Sequence, residues 1–198
     1  DTTITDPYRW LEDEYSPKTK SWVEKQNSTT NRYLRKISYR NNIENRLKEV
    51  WDYPSYSIPF KKGNNYYFYK NDGMQNQSVL YTTESLDKEP EVLLDPNTLS
   101  KDGTIALRGT YFSKSCNYMG YALSKAGSDW IEFYILNLKT RNLLKDKINW
   151  VKFSGISWHG NGFYYTKYPK PDKNNILSGR NENSKVFYHL LGTTQDAD

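Results

Sequence analysis

A chain of 198 residues can hold one well-buried core, or a small domain with part of a second. Its 18 Tyr, 7 Phe and 6 Trp make 16% of the chain aromatic within a hydrophobic total of only 36%, a balance that leans toward strands. The 28 Lys and Arg exceed the 23 Asp and Glu by five but are scattered, with Lys61 and Lys62 the nearest thing to a patch; this argues against a nucleic-acid partner.

The chain opens as helix. Ser16 can cap, Pro17 can take the first helical position, and Trp22, Val23, Gln26, Thr30, Tyr33 and Leu34 follow at helical spacing. A second helix is predicted from about Asn41 to Trp51, where Ile43, Leu47, Val50 and Trp51 form one stripe. Pro54 stops it. The acidic run Glu12, Asp13 and Glu14 reads as a complement to the first helix dipole rather than as acid–base machinery. Trp10, Trp22 and Trp51 read as helix-packing aromatics.

Beyond Pro54 the period becomes two. Strands are predicted at Ser57–Lys61, Tyr66–Asn71, Val79–Glu84, Glu91–Leu94, Ala106–Phe112, Tyr118–Ser124, Trp130–Asn137, Phe153–Trp158, Gly162–Lys167 and Val186–Leu191. They recur. NNYYFYKND at Asn64, NYMGYALSK at Asn117 and NGFYYTKYP at Asn161 start 53 and 44 residues apart; SVLYTTES at Ser78, WIEFYILNLKT at Trp130 and KVFYHLLGTTQ at Lys185 start 52 and 55 apart. A repeat of about 50 residues with about four strands is the signature of a propeller blade. At most three blades fit, so the ring is expected to be completed by more chain or by another molecule. The polar, aperiodic stretch Pro169–Ser184 reads as a long loop, of the kind that gates a site.

The catalytic inventory is thin. His159 sits in the turn SWHGNG, and His189 lies in a strand pattern where a satisfied core histidine is expected. Neither has a partner at metal-ligand spacing, so no metal and no cofactor is expected. No G-x-S-x-G elbow, phosphate loop or dinucleotide fingerprint is present. Cys116 is the single cysteine, expected half-buried in a strand, and suits a reducing, cytoplasmic setting. No run reaches the ~18 apolar residues of a membrane span, and DTTITDPYRW has no signal-peptide pattern, so no membrane partner is expected.

Several segments, in order along nearly the whole chain, resemble the prolyl oligopeptidase family. They include Asp6-Pro-Tyr-Arg-Trp-Leu-Glu-Asp13, Trp22-Val-Glu-Lys-Gln-Asn27, Gln75-Asn-Gln-Ser-Val-Leu-Tyr81, Leu99 to Gly109, Gly127-Ser-Asp-Trp130, Val151-Lys-Phe-Ser154 and Tyr188 to Thr193. The resemblance implies a mainly β chain: a helical segment, residues 1–53, that packs on an α/β-hydrolase domain, then the first blades of a seven-bladed β-propeller, residues 54–198. It implies a serine endopeptidase that cleaves short peptides after proline by acyl transfer, monomeric as the whole enzyme, with the propeller gating access. The catalytic serine, aspartate and histidine are not among these residues, so no catalytic residue is assigned.

Two residues carry over as substrate-binding. Phe153 resembles the propeller phenylalanine that walls the peptide pocket, and Asp129 the aspartate that holds a substrate-binding arginine of the hydrolase domain. On residue type alone, Phe153 reads as strand core and Asp129 as a turn residue before a strand. The Pro169–Ser184 loop resembles the family's segment at the domain interface. Two rival functions stay open: a propeller scaffold without catalysis, and a sibling oligopeptidase specific for basic residues.

Overall fold

The computed structural model describes residues 4–170 and 180–198. These fall into two compact units, one carrying the N-terminal helices up to Trp51, the other running from Asp52 to Lys170 and from Asn181 to Asp198.

In the first unit a 3-10 turn, Arg9–Glu12, precedes α1 (Pro17–Arg35) and α2 (Arg40–Trp51). The cap is the expected one. Ser16 Oγ accepts from the Thr19 amide at 3.1 Å, with Pro17 at the first helical position, where its missing N–H costs nothing. Trp10 meets Trp22 edge to face at 6.2 Å, and the Lys18 ammonium lies 4.2 Å from the Trp10 ring centre. Of the two helices only Thr19 is buried. Trp22, Leu34, Ile43, Leu47, Val50 and Trp51 stay exposed.

The second unit is all β. A first antiparallel sheet joins β1 (Ser55–Tyr56), β2 (Phe60–Lys62), β3 (Asn65–Asn71), β4 (Val79–Thr83) and β5 (Glu91–Leu94), with both β1 and β2 paired to β3. A meander follows, β6 (Ile105–Phe112), β7 (Tyr118–Lys125), β8 (Ile131–Asn137) and β9 (Leu143–Val151). Then come β10 (Ser157–His159), β11 (Gly162–Lys167) and β12 (Lys185–Leu190), with β11 between β10 and β12 and joined to β9 by the single pair Lys167 and Val151.

Alternation along the meander feeds two cores. Ala122, Phe133, Ile135 and Ile148 pack with Ile156, Phe163 and Tyr165, whereas Met119, Tyr121, Leu123 and Leu136 pack with Tyr67 and Leu80 of the first sheet. The meander is therefore buried on both faces. Each fully buried Phe or Leu of these cores contributes about 1.5–3 kcal/mol. Burial pushes the hydroxyl pKa of Tyr121 up to about 12, and that of Tyr134 likewise, the latter helped by its hydrogen bond to Glu132.

Side chains stitch the layers where strands do not. The Gln77 amide accepts from the Leu107 N–H at 2.8 Å and donates to Ile105 O at 2.7 Å, tying the first sheet to β6, and Trp158 Nε1 donates to Tyr111 O at 2.8 Å. His189 is the satisfied core histidine expected. Its ring nitrogens lie 2.8 Å from Asp198 Oδ1 and 3.0 Å from Asp146 Oδ1, Asp146 also accepts from the Gly192 N–H, and Tyr165 donates to Asp198 Oδ2 at 2.6 Å. This buried cluster fastens β9, β11, β12 and the chain after β12 together, and each group in it has a partner. Burial, then the bond to Asp198, raises the Tyr165 pKa.

Three expectations need correction. The strand Ser57–Lys61 is two short pieces, because Pro59 has no N–H for the ladder and the Ser57 side chain takes over pairing to Tyr69. The strand Phe153–Trp158 shrinks to Ser157–His159, and β9 was not foreseen at all. Cys116 sits in the turn before β7 with φ of 55°, half-buried but not in a strand. Residues 171–179 of the expected gating loop lie outside the described residues.

Gly162, at the start of β11, tests how tightly the last layer is seated. A Cβ there would lie within 3 Å of the Tyr188 ring and would clash with the His189 carbonyl oxygen, a backbone atom that cannot swing away. Gly162→Ala is expected to cost about 1–3 kcal/mol in chemical denaturation. An unchanged midpoint would mean that β11 and β12 are not paired in this register.

Candidate functional site

Asp129 and Phe153, separate in sequence, are brought together on one rim of the meander. Ser128 turns the chain into β8 by accepting from the Trp130 amide at 3.1 Å, which leaves Asp129 exposed just before the strand. At the other end of the pairing, β9 carries a bulge. Between the pairs Phe133–Ile148 and Ile131–Val151 it uses one more residue than β8, and Trp150 within that stretch has φ of 58°.

Phe153, two residues beyond β9, also has positive φ, 54°. Left-handed backbone at a bulky residue costs on the order of 1–3 kcal/mol, so the surrounding structure holds both residues there. The result is a phenylalanine aimed outward. Phe153 is 73% exposed, while Phe133 and Phe163 are wholly buried, so the strand-core reading of Phe153 fails.

Between the two lies a residue that the sequence reading passed over. Lys152 is only 8% exposed, and its Nζ reaches Asp129 Oδ2 at 3.7 Å, the Trp130 ring centre at 5.1 Å and the Phe153 ring centre at 5.4 Å. A lysine buried inside the apolar run Val151-Lys-Phe was the available signal, since buried Lys almost always has a task or a partner. Trp130 meets Trp150 edge to face at 5.7 Å and Tyr168 at 6.5 Å, and Tyr168 meets Phe153 at 6.5 Å. The rim thus offers an apolar wall, an exposed carboxylate and a cation that holds the two in place. It contains no nucleophile paired with a base, so it can bind and orient but not cleave. His159, at the end of β10, stands apart and meets the Tyr164 ring at a 46° tilt, 5.9 Å between centres.

The whole chain, residues 1–198, matches the family model described as prolyl oligopeptidase, N-terminal beta-propeller domain. The chain belongs to the prolyl oligopeptidase family. It is 44% identical over all 198 residues to a prolyl endopeptidase of Elizabethkingia meningoseptica, and 45% identical over 196 residues to one of Elizabethkingia miricola, covering 28% of each. Its fold superposes with a TM-score of 0.89 on a prolyl endopeptidase solved in work on inter-domain dynamics in catalysis and specificity; that chain is 28% identical, with 98% of this chain and 29% of that one covered. A peptide-bound prolyl oligopeptidase B of Galerina marginata superposes at 0.84 with 27% identity, over 98% of this chain and 30% of its own. The chain therefore spans less than a third of the relatives it matches, and within the family it is mainly β and part of the N-terminal propeller domain.

Asp129 is 67% exposed on its side chain, so its ion pair with Lys152 is well screened and contributes at most about 1 kcal/mol. The lysine stem packs. Asp129→Asn should leave stability within about 0.5 kcal/mol of the parent, and Lys152→Ala should lower it by about 1–2 kcal/mol through lost stem packing. The reverse order in urea melts would show that the charge pair, not the stem, holds the rim.

Proposed function

We propose that this chain is the N-terminal part of a serine endopeptidase that cleaves short peptides on the carboxyl side of proline, and that its propeller portion lines the pocket and gates access. The observation that carries the pocket reading is Phe153, held outward in a left-handed backbone beside Asp129. A rigid, exposed aromatic wall is what an apolar proline-containing peptide needs, and strain of this kind concentrates where binding occurs. The relatives named prolyl endopeptidase support the reaction.

In this reading β2–β5 and β6–β9 are two blades, and β10–β12 the first strands of a third, in a seven-bladed ring that the rest of the parent completes. Residues 1–53 pack on an α/β-hydrolase domain that supplies serine, aspartate and histidine. The exposed apolar stripe Ile43, Leu47, Val50 and Trp51 supports that, because an amphipathic helix needs a partner for its apolar face. Asp129 has room for a second cation, so it can hold an arginine of that domain while Lys152 steadies it. The parent works as a monomer in the cytoplasm, a setting that suits the free thiol of Cys116.

A Gly-Pro reporter peptide tests this. Residues 1–198 alone should not turn it over, and the full-length parent should. In the parent, Phe153→Ala should raise KM several-fold at unchanged melting temperature, because the ring packs little of the core. Turnover by the fragment, or an unchanged KM at wild-type stability, would overturn the proposal.

A further inference from the structure

Behind the Asp129 and Phe153 rim lies a cleft of about 560 Å³ that the family resemblance did not point to. Trp150, Tyr168 and Phe187 give it aromatic walls, and Lys167, Lys170 and Lys185 give it charge. Among the described residues Asp196 is the single acidic residue on its lining, against three lysines.

Two of those lysines are placed at a cost. Lys167 of β11 and Lys185 of β12 are direct cross-strand partners, a like-charge pairing that destabilises a sheet. Neither, and not Lys170, has a carboxylate partner among the described residues. Lys167 lies instead over the Phe187 ring at 4.3 Å, and Lys170 over Trp150 at 5.5 Å. Aromatic faces hold the ammonium groups without neutralising them. The polar floor is already satisfied, since Gln195 and the Asn149 backbone exchange hydrogen bonds of 2.9 and 3.0 Å. Among the described residues the lining therefore carries three lysines against one carboxylate.

We infer that this cleft binds the acidic side chains of a peptide, with Lys167, Lys170 and Lys185 facing the carboxylates and Trp150, Tyr168 and Phe187 covering the aliphatic stems. Tyr168 and Trp150 also belong to the rim cluster around Trp130, so a peptide lying along Phe153 runs on into the lysines. The nature of the ligand, a peptide, rests on the peptidase reading above; the charge preference rests on the cleft alone.

Calorimetric titration of the full-length parent with Ac-Glu-Glu-Glu-NH2 and its isostere Ac-Gln-Gln-Gln-NH2 separates the two. At low salt the glutamate peptide should bind at least about five-fold more tightly, and the ratio should shrink toward one at ~0.5 M salt as the charges are screened. Lys185→Glu should abolish the preference while its melting temperature stays level or rises, because it turns a like-charge pair into an opposite one. Lys185→Gln, which only removes charge, should cut the preference at least two-fold. Equal binding of the two peptides, a preference untouched by either variant, or displacement of the glutamate peptide by an equal concentration of inorganic phosphate would overturn the assignment. Loss of Gly-Pro cleavage as an activity would sink the peptidase reading and leave this titration standing.

Discussion

Everything in the β unit depends on the burial of one meander on both faces. A four-stranded antiparallel sheet has two faces and, by itself, can hide only one. Here Phe133 and Ile135 point one way, toward Phe163 and Tyr165, while Leu136 points the other, toward the core shared with Leu80 and Tyr67. Neither neighbouring layer could be removed without wetting half of the meander. Sheets that must be sandwiched in this way stack into rings, which is the physical content of a propeller.

Stacking of faces leaves the strand ends free to carry function. In the interior the register of β7 on β8 runs without a break from Tyr118–Asn137 to Ser124–Ile131, and no side chain has a choice of direction. The ladder slips between Leu107 and Gly109 of β6 and at two places between β8 and β9, and at the later of these along β9, the Trp150 bulge, the chain takes up two left-handed bulky residues within four positions. The rigid pairing behind the bulge holds that strain. What it yields is an outward phenylalanine, a buried lysine bracing an exposed aspartate, and a cleft whose like-charged lysines are fixed opposite each other by the β11–β12 register.

Much of this was legible in the sequence, and the misses have physical causes. Ser16-Pro17 announced α1 because cap and first-position preferences are local, and the repeat near 50 residues announced stacked sheets because every layer solves the same burial problem. β9 was missed because one of its inward positions is Asp146. Leu144, Asp146 and Ile148 do alternate inward against Lys145 and Lys147, but a buried aspartate looks like a loop residue until His189 is seen across from it. Phe153 was placed in a strand because nothing local signals left-handed backbone at a phenylalanine; the bulge before it is set by pairing with β8. Lys152 escaped notice because its importance lies in three neighbours, two of them more than twenty residues away.

In the function proposed above, the rim made by Asp129, Lys152 and Phe153 faces bound peptide in the full-length parent. A photoreactive phenylalanine analogue at position 153 of the full-length peptidase, irradiated with a proline-containing peptide and mapped by mass spectrometry, tests it directly. The expected product is an adduct on the peptide beside its proline. Adducts confined to Tyr168 and other residues of the chain itself, with the peptide bound but unlabelled, would contradict it.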